Sequence, residues 1–191
     1  LSYGVNRGIS LPIMATRGCP YECTFCSSPH MWGRQYYMRS PEDVVAEIKY
    51  MNDQFGANNF DFYDLTAIIK REWIIDFSKK IIDSGLKITW QIPAGTRAEA
   101  IDEEIACYLY QTGCRNITYA PESGSTRILK LIKKKVTKRS MLKSIKASNN
   151  EKLNVKLNLI IGFPEEKHID ILKTLFFIIQ ASWHGANDAI P

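Results

Sequence analysis

Leu11-Pro12-Ile13-Met14-Ala15-Thr16-Arg17-Gly18-Cys19-Pro20-Tyr21-Glu22-Cys23-Thr24-Phe25-Cys26 is the stretch from which the rest of the chain can be read. The run Leu11 to Thr16 has the composition of a β-strand, and it feeds directly into a loop bent by Gly18 and Pro20. Three cysteines then fall in eight residues, with the spacing CxxxCxxC. Four residues reach at most about 13 Å and curl to less, so the thiols can converge on one inorganic centre at the strand's C-terminal end. Two centres suit such a set. Iron–sulfur clusters are held by cysteine thiolates, usually four, and three ligands leave one iron open to another molecule. A zinc ion would instead recruit His30, which completes a Cys3His spacing with Cys26.

Working outward, the same plan repeats: a β-branched or aromatic run, then apolar residues at helical spacing. The predicted strands are Leu11 to Thr16, Asn59 to Asp64, Lys87 to Ile92, Asn116 to Ala120 and Val155 to Ile161. The first inter-strand helix is announced by Ser40-Pro41-Glu42-Asp43, an N-cap hydroxyl followed by a proline and early acids, and it stops at Gly56. Lys70 to Ser84 and Asp102 to Thr112 are the next two, ending at Gly85 and Gly113. Ser125 to Lys133 with Thr137 to Asn149 makes a split fourth segment, and His168 to Ser182 the fifth. Five βα units of this kind give an α/β fold with parallel strands, open or closed into a partial barrel. No sixth strand is read before the chain ends. In both architectures the chemistry sits at the C-terminal strand ends, where the cysteine loop already lies.

With 191 residues, 45% hydrophobic and 24% charged, the chain has the composition of one globular domain with a sizeable core. Disorder and a disulfide-stapled miniprotein are excluded. The longest apolar run, Leu175 to Ile179, is far short of a bilayer span. A soluble, cytoplasmic protein is expected. The first residue is Leu1 and the last Pro191, so residues 1–191 are expected to be one core domain cut from a longer chain. The net charge of +5 suits anionic ligands without being a nucleic-acid signature. Its one dense run, Lys130, Lys133, Lys134, Lys135, Lys138 and Arg139, is a solvated helix end or meets an anion. Cys107 falls mid-helix and Cys114 enters its strand from the end opposite the loop, so both are expected to be packing residues.

Cys19, Cys23 and Cys26, with Phe25 directly before the last, resemble the signature of the radical S-adenosylmethionine superfamily. The resemblance implies a partial (β/α)6 TIM-like barrel around a [4Fe-4S] cluster held by these three cysteines. It also implies S-adenosylmethionine bound to the open iron and cleaved reductively to a 5'-deoxyadenosyl radical. It runs from about Leu11 to Ser182. At the second strand end, Tyr63-Asp64-Leu65-Thr66 is similar to the family's acidic strand end, Tyr63 replacing a first acid, and Asp64 is carried over as a contact to the methionine amino group. Thr96-Arg97 resembles the strand-end arginine, a partner for a carboxylate. Pro121-Glu122-Ser123-Gly124-Ser125, with Arg127, Leu129, Lys134 and Thr137 after it, resembles the ESGS segment. It implies that Glu122 and Ser123 bind ribose hydroxyls or the methionine ammonium. The family commonly has glycine where Lys135 stands. Ile160-Ile161-Gly162-Phe163-Pro164-Glu165 resembles the last strand end, implying Ile160 and Gly162 beside the adenine. Phe25 joins the cofactor-binding residues.

The Arg17-Gly18-Cys19-Pro20 loop, Ser28-Pro29 and Arg39-Ser40-Pro41 are most similar to the cobalamin-binding class, which contains methyltransferases and anaerobic cyclases. A cobalamin domain would normally precede such a core, and none is visible within these residues. The expected function is radical methyl transfer or cyclisation, with an electron donor such as flavodoxin or ferredoxin as partner. Two alternatives stand beside it. A methylthiotransferase acting on tRNA or protein would typically carry QSGS instead of Glu122-Ser123-Gly124-Ser125. A non-enzymatic, zinc-stabilised nucleic-acid-binding module would use Cys19, Cys23, Cys26 and His30 with the lysine cluster, but lacks interleaved aromatic residues there.

Overall fold

A computed structural model describes residues 8–64, 66–67, 70–97 and 100–190; Leu65, beside Asp64, lies outside them. Strand β1 (Ile9–Ile13) opens the main sheet, and the chain then leaves it. Thr16–Arg17 forms β2, which pairs antiparallel with β3 (Tyr37–Met38), so the two ends of the cysteine loop are tied together. Thr16 therefore belongs to this clasp and not to the first strand of the sheet. Helix α1 (Ser28–Trp32) lies inside the loop, and α2 (Pro41–Phe55) follows, with the Ser40 hydroxyl accepting from Asp43 N at 3.2 Å and Gly56 left-handed at φ 64°.

The remainder alternates strand and helix, with two helices in succession after β6: β4 (Ala57–Phe62), α3 (Arg71–Ser84), β5 (Thr89–Thr96), α4 (Glu103–Gln111), β6 (Cys114–Glu122), α5 (Thr126–Leu131), α6 (Lys138–Asn150), β7 (Asn154–Leu159), α7 (His168–Trp183) and β8 (Ala186–Ile190). Strands β1, β4, β5, β6, β7 and β8 form one six-stranded, all-parallel sheet in that order. The α/β fold and its partial-barrel plan are those expected. The missing last strand is corrected: β8 is present. Its sequence, Ala-Asn-Asp-Ala-Ile, has none of the aromatic residues and only one of the β-branched residues that mark a strand, so pairing defines it. Leu157 stands opposite Ala189, and the Asn187 side-chain oxygen Oδ1 accepts from Val155 N at 2.8 Å.

The two faces of the sheet differ in kind. On the outer face Phe60, Phe62, Trp90, Ile92, Ile117, Tyr119, Val155 and Leu157 are buried beneath the helices. Each such side chain contributes about 1.5 to 3 kcal/mol by leaving water. Phe62 and Trp90 have ring centroids 4.8 Å apart, and Phe77 of α3 meets Trp90 edge-on at 5.8 Å. The inner, concave face carries the alternate residues, and these are polar. Asn59 donates to Ser10 (2.9 Å), Thr89 to Asn59 (3.0 Å), Gln91 to Asp61 (2.6 Å), Asn116 to Gln91 (2.9 Å) and Asn154 to Asn116 (2.9 Å). A chain of amide hydrogen bonds thus crosses five strands and satisfies polar groups that a helix-covered face could not hold. No described helix is long and apolar enough to cross a membrane.

Candidate active site

The cysteine loop leaves the sheet at the C-terminal end of β1 and folds back over the strand ends. Gly18 has φ 87°, and a Cβ on it would stand 2.0 Å from Gln35 O, so the close approach of the loop's two arms requires glycine. Thr24 N donates to Ile132 O at 3.1 Å, pinning the loop to the turn after α5, and Phe25 meets Phe163 edge-on at 5.8 Å. Glu22 is paired with Arg34 across the loop. These contacts leave Cys19, Cys23 and Cys26 half-buried.

All three thiols line one cavity of about 230 Å³. Its other walls come from the ends of the strands: Thr66 after β4, the Ala94–Arg97 segment at and just past the end of β5, and Ala120 and Glu122 from β6, with Tyr21, Phe25 and Lys134 closing it. Two irregularities of register bring the walls in. The β5–β6 pairing shifts between Ile92 and Thr96, where Gly95 is left-handed at φ 94°, and the β6–β7 pairing shifts between Tyr119 and Glu122. Glu122 itself has φ 66°, an uncommon conformation for a residue with a Cβ and one that persists where the surroundings impose it. Its backbone oxygen accepts from Ile160 N at 2.8 Å, and its side chain turns into the cavity.

The polar groups of this cavity are incompletely used. Glu122 Oε1 accepts from Lys134 Nζ at 2.8 Å, while Oε2 has no hydrogen bond among the described residues. Thr96 Oγ1 is buried and has no hydrogen-bond partner among the described residues. Buried hydroxyls are ordinarily satisfied, so an orphan on a residue that lines a cavity marks a place for a polar ligand. Thr66 donates its hydroxyl to Cys19 Sγ at 3.5 Å, and Ser28 N donates to Cys26 Sγ at 3.4 Å. Burial pushes the Cys23 thiol up, and the nearby Lys134 and Arg97 cations pull against it. Arg97 is buried with its guanidinium 3.6 Å above the Tyr21 ring, and it donates to Lys135 O.

Of the residues expected from sequence, Cys19, Cys23, Cys26, Phe25, Arg97 and Glu122 are brought together here. Four are not. Asp64 is 1% exposed, and its carboxylate accepts from Ala15 N (3.3 Å), Thr16 N and the Thr16 hydroxyl, so it braces the start of the loop and does not line the cavity. Its pKa is raised by that burial. Ser123 is fully buried against α7, with Oγ 3.1 Å from Thr174 Oγ1. Gly124 serves the same docking, because a Cβ there would fall 2.6 Å from Lys173 O and from Phe177 Cβ, and its close approach is to a helix and not to a ligand. Ile160 packs against the small apolar cluster of Ile128, Leu129, Ile132 and Phe163, and Gly162 is exposed, its N–H donating to Glu166 at 2.6 Å. Cys107 lies on α4 and Cys114 at the start of β6, away from the loop as expected. Sequence reading missed Tyr21, Thr66, Thr96 and Lys134 as wall residues. Lys134 alone left a trace, since a lysine twelve residues after Glu122 begins the next turn of chain.

The donor set can be tested against the two centres. A tetrahedral zinc with bonds of about 2.3 Å would need its sulfurs roughly 3.8 Å apart. Among the described residues no three Cys, His, Asp or Glu side chains converge on a single ion, and His30 is exposed on α1. A four-iron cluster bonds each thiolate to a different iron and accepts sulfurs that ring a cavity, which is the arrangement present. Thiolate ligands, flanking cations and a cavity with open polar groups fit that cluster and a polar ligand beside it.

A family described as the Radical SAM superfamily matches residues 13–178. An uncharacterized methyltransferase of Pyrococcus horikoshii is 32% identical over 174 residues, 91% of this chain and 37% of that protein. The cytidylyl-2-hydroxyethylphosphonate methyltransferase of Streptomyces wedmorensis is 32% identical over 153 residues, 80% of this chain and 28% of its own length. The structure of the radical S-adenosylmethionine methyltransferase TsrM from Kitasatospora setae, with cobalamin and a [4Fe-4S] cluster bound, superposes with a TM-score of 0.77. That alignment covers 90% of this chain and 34% of TsrM at 16% identity, a likeness of fold alone. The chain spans about a third of the length of such relatives.

Proposed function

This chain belongs to the radical SAM superfamily, and on that premise we propose that it is the cofactor-binding core of an enzyme that modifies an organic substrate by radical methyl transfer or cyclisation. The observation that carries the proposal is the shared cavity: three thiols, an open Glu122 oxygen and an unpartnered Thr96 hydroxyl at the C-terminal ends of parallel strands.

Cys19, Cys23 and Cys26 would hold a [4Fe-4S] cluster, which when bound and reduced supplies one electron to the sulfonium of S-adenosylmethionine. The protein's own part is orientation and exclusion. Glu122 would accept from the ligand's ammonium or a ribose hydroxyl through Oε2, and the hydrogen bond from Lys134 holds its carboxylate turned inward. Thr96 would supply a hydroxyl and Arg97 a positive field for a carboxylate. Phe25, packed on Phe163, forms an apolar wall that keeps water from the cluster side. Asp64 acts on the loop and only through it on the ligand. The thiolates, and an electron donor such as flavodoxin or ferredoxin, suit a reducing cytoplasm. Cobalamin, where used, would come from a domain outside these residues.

The test is anaerobic reconstitution with iron and sulfide, followed by dithionite and S-adenosylmethionine. Brown protein with broad visible absorbance, about four irons per chain and formation of 5'-deoxyadenosine or S-adenosylhomocysteine is the expected result. Colourless protein that retains one zinc per chain would overturn the reading.

A further inference from the structure

A second hollow, of about 510 Å³, adjoins the thiol cavity, sharing Tyr21 and Lys134 with it, and lies between Pro20–Glu22 and the turn that joins α5 to α6. Resting on the function proposed above, we propose that this hollow is the docking surface of an acidic one-electron donor protein, a reduced flavoprotein or iron–sulfur protein, that charges the cluster.

The turn itself sorts the lysines. Lys133 is left-handed at φ 55°, and Lys134 N reaches back to Leu129 O at 2.9 Å, so the chain reverses within one residue. That reversal sends Lys134 inward to Glu122 and leaves Lys133 and Lys135 exposed beside Lys130. Among the described residues none of Lys130, Lys133 and Lys135 has an acidic partner within 4.0 Å, whereas the one acid at the rim, Glu22, is already neutralised by Arg34. The result is a local positive field with no internal use.

Position gives the field its purpose. Pro20 adjoins Cys19, and Tyr21 and Glu22 lead to Cys23, so the floor of the hollow is one residue, about 3.8 Å of chain, from two of the thiols. Tyr21 lines this hollow and the thiol cavity alike. A donor seated here reaches the cluster from outside while the ligand side stays closed. The exchange balances simply: the donor is oxidised by one electron, the cluster is reduced by one, and no bond forms or breaks. Transient electron-transfer encounters are small and are steered by charge more than by apolar burial. Three flexible lysines around a shallow apolar floor match that kind of contact.

The experiment measures the rate at which reduced flavodoxin, an acidic donor, bleaches the reconstituted cluster, with dithionite as a second reductant that needs no docking. Wild-type protein is compared with the triple variants K130E/K133E/K135E and K130Q/K133Q/K135Q, all at matched iron content. The expected result is a flavodoxin rate constant reduced at least about tenfold in the Glu variant at low salt, with the Gln variant between. The wild-type rate should fall as ionic strength rises through the range where the Debye length shrinks below about 10 Å, and the three proteins should converge. Dithionite rates should be equal throughout. Equal flavodoxin rates in all three proteins, or a wild-type rate insensitive to salt, would overturn the docking surface while leaving the cluster intact. Pyrophosphate that binds the wild type saturably, is lost in the Glu variant and leaves flavodoxin kinetics unaltered would do so as well, assigning the hollow to a small anion. Failure of the wild type to take up iron or to respond to dithionite would instead remove the underlying function.

Discussion

The end of β6 separates two acid–base pairs, each with a buried acid, that look alike in sequence and behave differently. On one side Glu122 meets Lys134 at the cavity and keeps an oxygen open. On the other, Asp170 of α7 accepts from Ser125 Oγ at 2.6 Å, Arg127 Nε at 3.2 Å and Lys167 N at 3.2 Å, and has no exposed surface. Asp64 behaves like Asp170, its carboxylate saturated by Ala15 and Thr16. A saturated carboxylate holds structure together; an incompletely used one beside a cavity is available to a ligand. Variants on the open side should therefore cost cofactor binding, and variants on the closed side should cost stability.

The largest effect belongs to the thiols. Cys19→Ser, Cys23→Ser or Cys26→Ser should each abolish the four-iron absorbance, because serine is a poor ligand for soft iron–sulfur centres and two thiolates do not hold the cluster. Iron content after anaerobic reconstitution reads this, with circular dichroism to show that the fold remains. Retention of four irons by any of the three would break the open side as drawn.

Next comes the closed side. Asp170→Ala leaves Arg127 and the Ser125 hydroxyl without their partner and should lower the thermal midpoint by several degrees while iron uptake survives. The hydrogen bonds from Arg127 and Ser125 hold the Asp170 carboxyl well below the usual carboxylate range. A depressed acid contributes stability above its unfolded pKa, and loses it as pH falls below about 4. Wild-type stability should thus drop more steeply than that of Asp170→Ala on acidification. Parallel pH profiles would show that the pair contributes nothing.

Much of this division was legible beforehand, and the rest was hidden for definite reasons. The CxxxCxxC loop is legible because the information is local: three thiols within eight residues after one strand, which the structure brings to one cavity. Helix boundaries hold to within two residues, since caps such as Ser40-Pro41 and Gly56 act locally too. Strand limits slip by one to four residues and β8 escapes altogether, because the concave face demands Asn, Gln and Asp where strand propensity looks for Val and Ile. Ser123 and Asp64 read as ligand contacts in the sequence because their chemistry permits it. Only tertiary packing, the arrival of α7 against Gly124 and of Thr16 against Asp64, reveals that their valences are already filled.

Glu122→Gln sharpens the contrast, since the amide oxygen can still accept from Lys134 while the charge offered to the ligand is lost. A hydrogen bond to a charged group is worth about 1.5 to 3 kcal/mol, so S-adenosylmethionine should bind roughly tenfold to a hundredfold more weakly. The cluster spectrum and thermal midpoint should remain close to wild type. A fall in stability without a change in affinity would move Glu122 to the closed side with Asp170.

The smallest effects are expected at the two cysteines outside the loop, and they test whether the open side is confined to three thiols. Cys107 is half-buried on α4, where Gln111 Nε2 donates to its sulfur at 3.3 Å, and its replacement by serine exchanges one weak acceptor for another. Cys107→Ser should shift stability by no more than about 0.5 kcal/mol. Cys114 is fully buried at the start of β6, its thiol pushed up to about 12 by that burial, and it donates weakly to Asn116 O at 3.7 Å. Serine there could keep this hydrogen bond but would bury a more polar group in a smaller volume, at a cost of about 1 to 3 kcal/mol. Both variants should incorporate as much iron as wild type, because β6 carries Cys114 at the end of the strand opposite Glu122 and the cavity. Loss of the cluster in folded Cys114→Ser would mean a fourth thiolate reaches the centre. The open iron, and with it the distinction between the two sides of β6, would then give way to a closed electron-transfer cluster.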